Sequence, residues 1–334
     1  MVCSLSGKKT FIEFIEEQEL RSVLDKSLTV TDETLRDICH GMFDPVCVLP
    51  PGEQAKHLDA VQTVVDALLE REASRDDTLC AFGGGVICDL TAFCGSIYMR
   101  GMNLILVPTT LLAMVDASVG GKTGVDYRKY KNLLGSFYPA LRVLIYPEVL
   151  STLSDHAYMN GLAEVIKHAF LAGGELFEIV TEKRKEILSR DIGILRKLIE
   201  LSLKVKIEIV EQDPEELLGI RQQLNFGHTF AHALETSTDF SLSHGEAVAW
   251  GMAKAFQAGR EIGITRPEYA ESGISLLKSY GYPVDLAVDR RQEFFSSLKH
   301  DKKKRGIVIP FILQKSLADT ILYPLELTAL EHMI

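Results

Sequence analysis

Thr78-Leu79-Cys80-Ala81-Phe82-Gly83-Gly84-Gly85-Val86-Ile87-Cys88-Asp89 is a short apolar run, a triple glycine and a second apolar stretch. A brief apolar run stopped by glycine reads as a buried strand. The residues after it open a helix, and glycine at that junction lets backbone N–H groups come close to a phosphate at the helix N-terminus. A G-x-G-x-x-G fingerprint would need glycine where Cys88 stands, so the usual dinucleotide signature is incomplete. A plain tight turn is the competing reading.

Outward from this turn, the first half repeats the same alternation. Leu28-Thr29-Val30, Val46-Cys47-Val48-Leu49 and Leu104-Ile105-Leu106-Val107 read as further strands, the last running into Pro108-Thr109-Thr110. Leu58 to Arg71 has helical periodicity, with Leu58, Val61, Val65, Leu68 and Leu69 on one stripe. Such alternation predicts an α/β fold: a doubly wound, Rossmann-like parallel sheet whose ligands bind beyond the carboxyl ends of its strands. From about Leu150 the pattern changes, and apolar residues recur at helical spacing through Gly161–Leu171, Ile194–Glu211, His228–Glu235 and Ala247–Gly263. The expected organisation is an α/β domain over 1–149 and a mainly α-helical domain over 150–334.

With 46% hydrophobic and 25% charged residues, the chain has the composition of an ordinary globular protein. No uninterrupted apolar run reaches membrane-spanning length, and Met1 to Lys9 lacks a secretory apolar core. Those features predict a cytoplasmic protein with no membrane partner. A net charge of −10 speaks against a broad nucleic-acid surface, although a few clustered cations can still dominate one cleft. The six cysteines, Cys3, Cys39, Cys47, Cys80, Cys88 and Cys94, all fall in the first third without C-x-x-C spacing. They predict reduced, buried thiols rather than a zinc ribbon or a disulfide frame.

The clearest chemical signal is Leu224-Asn225-Phe226-Gly227-His228-Thr229-Phe230-Ala231-His232 with Leu242-Ser243-His244-Gly245-Glu246-Ala247, which gathers three of the nine histidines. Residues four apart share a helix face, so His228 and His232 can point into one pocket to which His244 returns after a loop. Neutral imidazole is the commonest nitrogen ligand for zinc, and a catalytic zinc usually takes three protein ligands. Any one of these histidines alone reads as a satisfied core or surface residue; as a group they point to a metal or catalytic site.

Weaker motifs surround it. Gly161-Leu162-Ala163-Glu164-Val165-Ile166-Lys167-His168 sets Glu164 one helical turn from Lys167 and His168, as an ordinary exposed ion pair or as charges facing a partly buried cleft. Gly120-Gly121-Lys122-Thr123-Gly124 resembles the end of a phosphate loop, but the Walker pattern needs glycine where Asp116 sits. Lys122 and Lys131-Asn132 could still meet an anion. Lys302-Lys303-Lys304-Arg305 reads equally well as a solvated turn or as an anion contact.

Taken together these segments resemble one family. Glu53-Gln54-Ala55-Lys56, Gly83-Gly84-Gly85-Val86, Tyr98-Met99-Arg100-Gly101, Val107-Pro108-Thr109-Thr110-Leu111-Leu112, Val115-Asp116-Ala117-Ser118-Val119-Gly120-Gly121-Lys122-Thr123, Lys131-Asn132, the Glu164 segment and the histidine block are similar to 3-dehydroquinate synthase. The match runs in order from about Leu28 to Leu313. The resemblance implies a zinc- or cobalt-dependent enzyme of the shikimate pathway that uses NAD. Its substrate would be 3-deoxy-arabino-heptulosonate 7-phosphate and its products 3-dehydroquinate and phosphate.

By position the resemblance implies Glu164, His228 and His244 as metal ligands, and His232 as a catalytic histidine near the departing phosphate. That half overrules the reading of His228 and His232 as a ligand pair. Lys167, Lys206, Arg221 and Asn225 match further catalytic positions, and Arg100, Lys122, Asn132 and either Lys302 or Lys303 match substrate contacts. Glu53, Lys56, Gly84, Gly85, Val86, Asp89, Thr109, Thr110, Asp116, Lys131 and Thr152 match the NAD site. A homodimer is implied as well, with Arg100 reaching a neighbouring site.

The chemistry so implied is oxidation of a hydroxyl held by the metal, phosphate elimination beside the new ketone, return of the hydride, ring opening and aldol closure. An Arg and Lys cluster suits a substrate bearing phosphate and carboxylate. Departures from the family pattern are Asp126 where asparagine is frequent, Ala117 where serine is common, an extra residue in Asp213–Arg221 that weakens the Lys206 assignment, and little room for leading strands before Leu28. The competing classes are another sugar-phosphate cyclase such as 2-deoxy-scyllo-inosose synthase, a metal-dependent polyol dehydrogenase and, least favoured, a non-catalytic binding protein. A neutral polyol would not need the Lys122, Lys131 and Arg221 charges.

Overall fold

The computed structural model describes residues 1–334 apart from 39, 40, 42, 129, 240, 301–307, 327–329 and 331–334, and describes the side chains outside 299 and 300. Cys39, Lys302 and Lys303 therefore lie outside the described residues. The chain divides into two compact units, Met1–Tyr158 with Lys206–Glu215, and Met159–Val205 with Glu216–Ile334.

In the first unit the elements run β1 (Val2–Leu5), β2 (Lys8–Phe14), α1 (Glu17–Lys26), β3 (Leu28–Asp32), α2 (Glu33–Ile38), β4 (Cys47–Leu49), α3 (Leu58–Glu70), β5 (Thr78–Gly83), α4 (Gly85–Ile97), β6 (Asn103–Pro108), β7 (Lys122–Tyr127), β8 (Tyr130–Phe137) and β9 (Arg142–Ile145). Seven strands form one sheet in the order β1-β2-β9-β6-β5-β3-β4. It is parallel except for the edge pair β1–β2. From β3 the chain steps outward to β4 and then back past β3 to β5. That reversal is the switch point at which open α/β sheets bind ligands, and the triple glycine lies at the carboxyl end of β5 beside it.

The core explains the apolar runs. Cys80 and Phe82 of β5, Val107 of β6 and Leu144 of β9 pack with Ile15, Leu20, Leu24 and Leu35. The strand signals at Leu28, Val46, Thr78 and Leu104 all correspond to sheet strands. β1 and β2 correct the expectation of little room before Leu28. Their segments alternate lysine, threonine and single apolar residues, as an edge pair covered on one face does. The α3 stripe is also rotated from the expected one: Ala60, Val61, Val64 and Leu68 are buried, while Leu58 and Leu69 are exposed. Cys3, Cys47, Cys80, Cys88 and Cys94 are buried thiols outside any disulfide. Burial pushes the Cys80 and Cys94 thiols up to about 12, so they are inert packing groups.

The second unit is mostly helical. It holds most of α5 (Asp155–Ala172), then α6 (Gly174–Glu182), α7 (Arg184–Leu188), the start of α8 (Ile192–Gln212), α9 (His228–Ser237), α10 (His244–Glu261), α11 (Pro267–Ser279), α12 (Arg291–His300) and a hairpin of β10 (Val308–Ser316) and β11 (Asp319–Glu326). Phe170, Phe226 and Phe256 meet edge to face, as do Trp250 and Phe294. The hairpin was not expected from the patterning, because Ile309, Phe311, Ile312 and Leu313 form a nearly continuous buried run without alternation. Among the described residues no helix is long and apolar enough to cross a membrane.

Candidate active site

Three helices of the second unit bring Glu164, His228 and His244 together. Glu164 lies in the middle of α5, while His228 and His244 are the first residues of α9 and α10. Glycines permit the approach. Gly227 has φ +82, and a Cβ there would sit 2.7 Å from the backbone nitrogen of Met252 on α10. A Cβ on Gly245 would stand 2.5 Å from the Asn160 carbonyl oxygen on α5. Ser243 and Glu246 close a capping box on α10, and Asn160 Oδ1 accepts from the Gly245 amide at 2.5 Å. Gly227→Ala is expected to cost roughly 1–3 kcal/mol from the left-handed backbone alone, and more from the collision with α10. A urea unfolding midpoint equal to that of the unsubstituted protein would contradict this.

His228 Nε2 lies 3.5 Å and His244 Nε2 3.8 Å from Glu164 Oε1. Ligand atoms of these three residues lie within 4.8 Å of one another. Each ring is held from behind: His228 Nδ1 is 3.4 Å from the Phe226 carbonyl oxygen, and His244 Nδ1 is 3.2 Å from Glu235 Oε1. Glu164 is fully buried, and its Oε1 has no hydrogen-bond partner, an expensive arrangement for a carboxylate. Its other oxygen accepts from Lys167 Nζ, which is also buried. An unsatisfied buried carboxylate oxygen faced by two imidazole nitrogens fits a divalent cation. Burial alone would lower the His244 pKa, but the Glu235 hydrogen bond and the Glu164 and Glu235 carboxylates raise it above its ordinary value.

His232, one turn along α9, is exposed, its ring 5.5 Å from that of His228 and 6.5 Å from that of His244. Arg221 and Asn225 begin and end the single 3-10 turn Arg221–Asn225 that precedes Gly227, the arginine buried and the asparagine exposed.

In the first unit, the residues expected around a nucleotide gather beyond the carboxyl ends of neighbouring strands. Glu53 and Lys56 follow β4; Gly84, Gly85, Val86 and Asp89 follow β5; Thr109, Thr110 and Asp116 follow β6; Thr152 follows β9. Gly84 caps α4 with φ −70, and a Cβ on it would be 3.1 Å from Thr110 Cγ2. Lys56 Nζ donates to Asp89 Oδ2 at 2.6 Å, with the lysine 5% exposed. Burial raises the Asp89 pKa, and Lys56 opposes that. Lys206 Nζ donates to Asp116 Oδ1 at 2.5 Å, and Lys131 Nζ stands 3.8 Å from Glu53. Thr110 Oγ1 accepts from the Ala113 amide, and Thr152 Oγ1 donates to the Val149 carbonyl. Asp126, a departure from the family pattern, accepts from the Asn132 amide at 2.7 Å. Arg100 and Lys122 are exposed, the arginine at φ +65 after α4.

Two residues stand in these places that sequence reasoning did not single out. Asp32 ends β3, beside the glycine turn, with Oδ1 accepting from the Leu35 amide. An acidic residue closing the apolar run Leu28–Val30 was the available signal. Glu235 lies seven residues after His228, two turns along the same helix face.

The family models and the sequence relatives agree on one family. The model described as "3-dehydroquinate synthase N-terminal" matches residues 46–160, and that described as "3-dehydroquinate synthase C-terminal" matches 161–304. A 3-dehydroquinate synthase from Solibacter usitatus is 40% identical over 266 residues, covering 79% of this chain and 74% of the relative. Among solved structures, 2-epi-5-epi-valiolone synthase from Streptomyces hygroscopicus subsp. jinggangensis, with NAD+ and Zn2+ bound, superposes with TM-score 0.89 at 26% identity over 100% of this chain and 98% of the other. A 2-deoxy-scyllo-inosose synthase complexed with carbaglucose-6-phosphate, NAD+ and Co2+ gives TM-score 0.86 at 21% identity, covering 100% and 98%, a likeness of fold. The chain belongs to the 3-dehydroquinate synthase family.

Proposed function

We propose that the chain is a carbon–oxygen lyase that converts 3-deoxy-arabino-heptulosonate 7-phosphate to 3-dehydroquinate and phosphate, using NAD without net consumption. Family membership supports this reading, and the observation that carries the site is the unsatisfied, buried Glu164 Oε1 facing His228 and His244. Those three residues would hold Zn2+ or Co2+. When bound, the cation supplies a Lewis acid for neighbouring substrate hydroxyls and NAD supplies a reversible hydride acceptor.

The chain's own groups do the rest. Lys167 neutralises the second Glu164 oxygen, which keeps one carboxylate oxygen available and fixes its direction. His232, exposed on the helix that carries His228, is the proton carrier for phosphate departure. Arg221, Lys122, Arg100, Asn132, Asn225 and one of Lys302 and Lys303 bind the anionic ends of the substrate, and Lys206 contributes once released from Asp116. For NAD, the N-terminus of α4 and Gly84, Gly85 and Val86 receive the pyrophosphate. Asp32, Glu53, Lys56, Asp89, Thr109, Thr110, Asp116, Lys131 and Thr152 surround the rest of the cofactor. On this reading 1–149 is the NAD domain and 150–334 the metal and substrate domain. The protein works in the cytoplasm as a homodimer, with Arg100 reaching the neighbouring site.

Incubation with the heptulosonate phosphate, NAD and Zn2+ should yield 3-dehydroquinate and one equivalent of phosphate, identified by mass and by phosphate assay. Phosphate release from glucose 6-phosphate alone would contradict the substrate assignment and favour an inosose-type cyclase.

A further inference from the structure

Glu235 belongs to the cation site although no ligand role falls to it. It is buried, 4% exposed, on α9 and places Oε1 3.2 Å from His244 Nδ1. The opposite nitrogen of the same ring, Nε2, faces Glu164 Oε1 at 3.8 Å. A neutral imidazole carries one proton, and a carboxylate at Nδ1 can only accept it. Of the two carboxylates only Glu235 is within hydrogen-bond distance, so in the neutral ring Nδ1 is the N–H and Nε2 keeps its lone pair for a cation held with Glu164 and His228. We propose that Glu235 is a positioning residue that fixes the tautomer and ring orientation of His244 and thereby sets the affinity of the site for a divalent cation.

The geometry separates this role from mere packing. His228 has the equivalent support from a backbone carbonyl, that of Phe226, which no side-chain substitution removes. His244 Nδ1 is held instead by the Glu235 side chain, while its chain neighbours are committed elsewhere: Ser243 to the capping box and the Gly245 amide to Asn160. Glu235 also joins His244 to the helix that carries His228, so the two imidazoles are tied by one carboxylate as well as by the Gly227 approach. Orienting groups of this kind typically change metal affinity by about 10–100-fold when removed.

This inference rests on the cation reading of Glu164, His228 and His244, and the test separates the two. Zn2+ affinity is measured by competition with a chromophoric chelator for the unsubstituted protein, Glu235→Gln, Glu235→Ala, His244→Ala and the control Ser237→Ala. Co2+-loaded samples give absorption spectra, and metal-free samples give unfolding midpoints. Ser237 lies on the same helix and its hydroxyl donates to the Leu234 carbonyl.

Glu235→Ala should weaken Zn2+ by about 10–100-fold and alter the Co2+ spectrum. Glu235→Gln retains an acceptor oxygen and should weaken it by less, and Ser237→Ala should leave it unchanged. If Glu235→Ala fails to fold, Glu235→Gln carries the test through the same affinity and spectral comparison. Zn2+ affinity in the glutamate variants equal to that of the unsubstituted protein, with His244→Ala metal-free, would overturn the role of Glu235 and leave the cation site standing. Absence of stoichiometric Zn2+ in the unsubstituted protein would overturn both.

Discussion

His244→Ala is expected to emerge without bound divalent cation and without measurable turnover, whereas His232→Ala keeps the cation and loses about 10²–10⁴ in rate, the usual contribution of a positioned proton carrier. The contrast follows from where two histidines of one short segment end up. His244 Nε2 faces the buried Glu164 Oε1 at 3.8 Å, and its removal leaves two of three ligands, too few for a catalytic site of this type. His232 stands outside that ligand group: no close group of potential ligands among the described residues includes it. Metal analysis of both purified variants, beside single-turnover rates at saturating Zn2+, decides the matter. A His232→Ala protein that is metal-free would reverse the assignment of ligand and proton carrier.

The segments that decided the fold were those whose local signal and tertiary role agree. β5 is buried on both faces over Leu79–Gly83, and its apolar run, the glycines after it and the helix start point to one answer. β1 and β2 were not legible because an edge pair with lysines has too short an apolar alternation to stand out. β10 was hidden for the opposite reason, as an apolar run whose period cannot distinguish strand from helix.

The histidine block announced itself by residue type, but spacing alone paired His228 with His232. That pairing follows from the shared helix face, whereas the close cluster pairs His228 with a residue on α5 and another on α10. Only tertiary packing through Gly227 and Gly245 brings those together. Glu235 escaped notice because its significance depends on a ring nitrogen nine residues away in sequence and 3.2 Å away in space.

The central claim is that one active site oxidises and later reduces the same carbon, so that NAD is required and returned. Supplied with NAD at a small fraction of the heptulosonate phosphate concentration, the Zn2+-loaded protein should release phosphate far in excess of the NAD present, with no steady growth of NADH absorbance. This expectation follows from a hydride that leaves and returns within one turnover, and it requires phosphate release to stop when NAD is stripped and to resume when it is restored. A polyol dehydrogenase, the oxidoreductase alternative, would exhaust NAD after one equivalent. The decisive measurement is phosphate released per NAD supplied, read together with absorbance of the reduced cofactor. The account predicts a ratio far above one with the absorbance flat; a ratio no greater than one, with NADH accumulating in step with substrate oxidised, would contradict it.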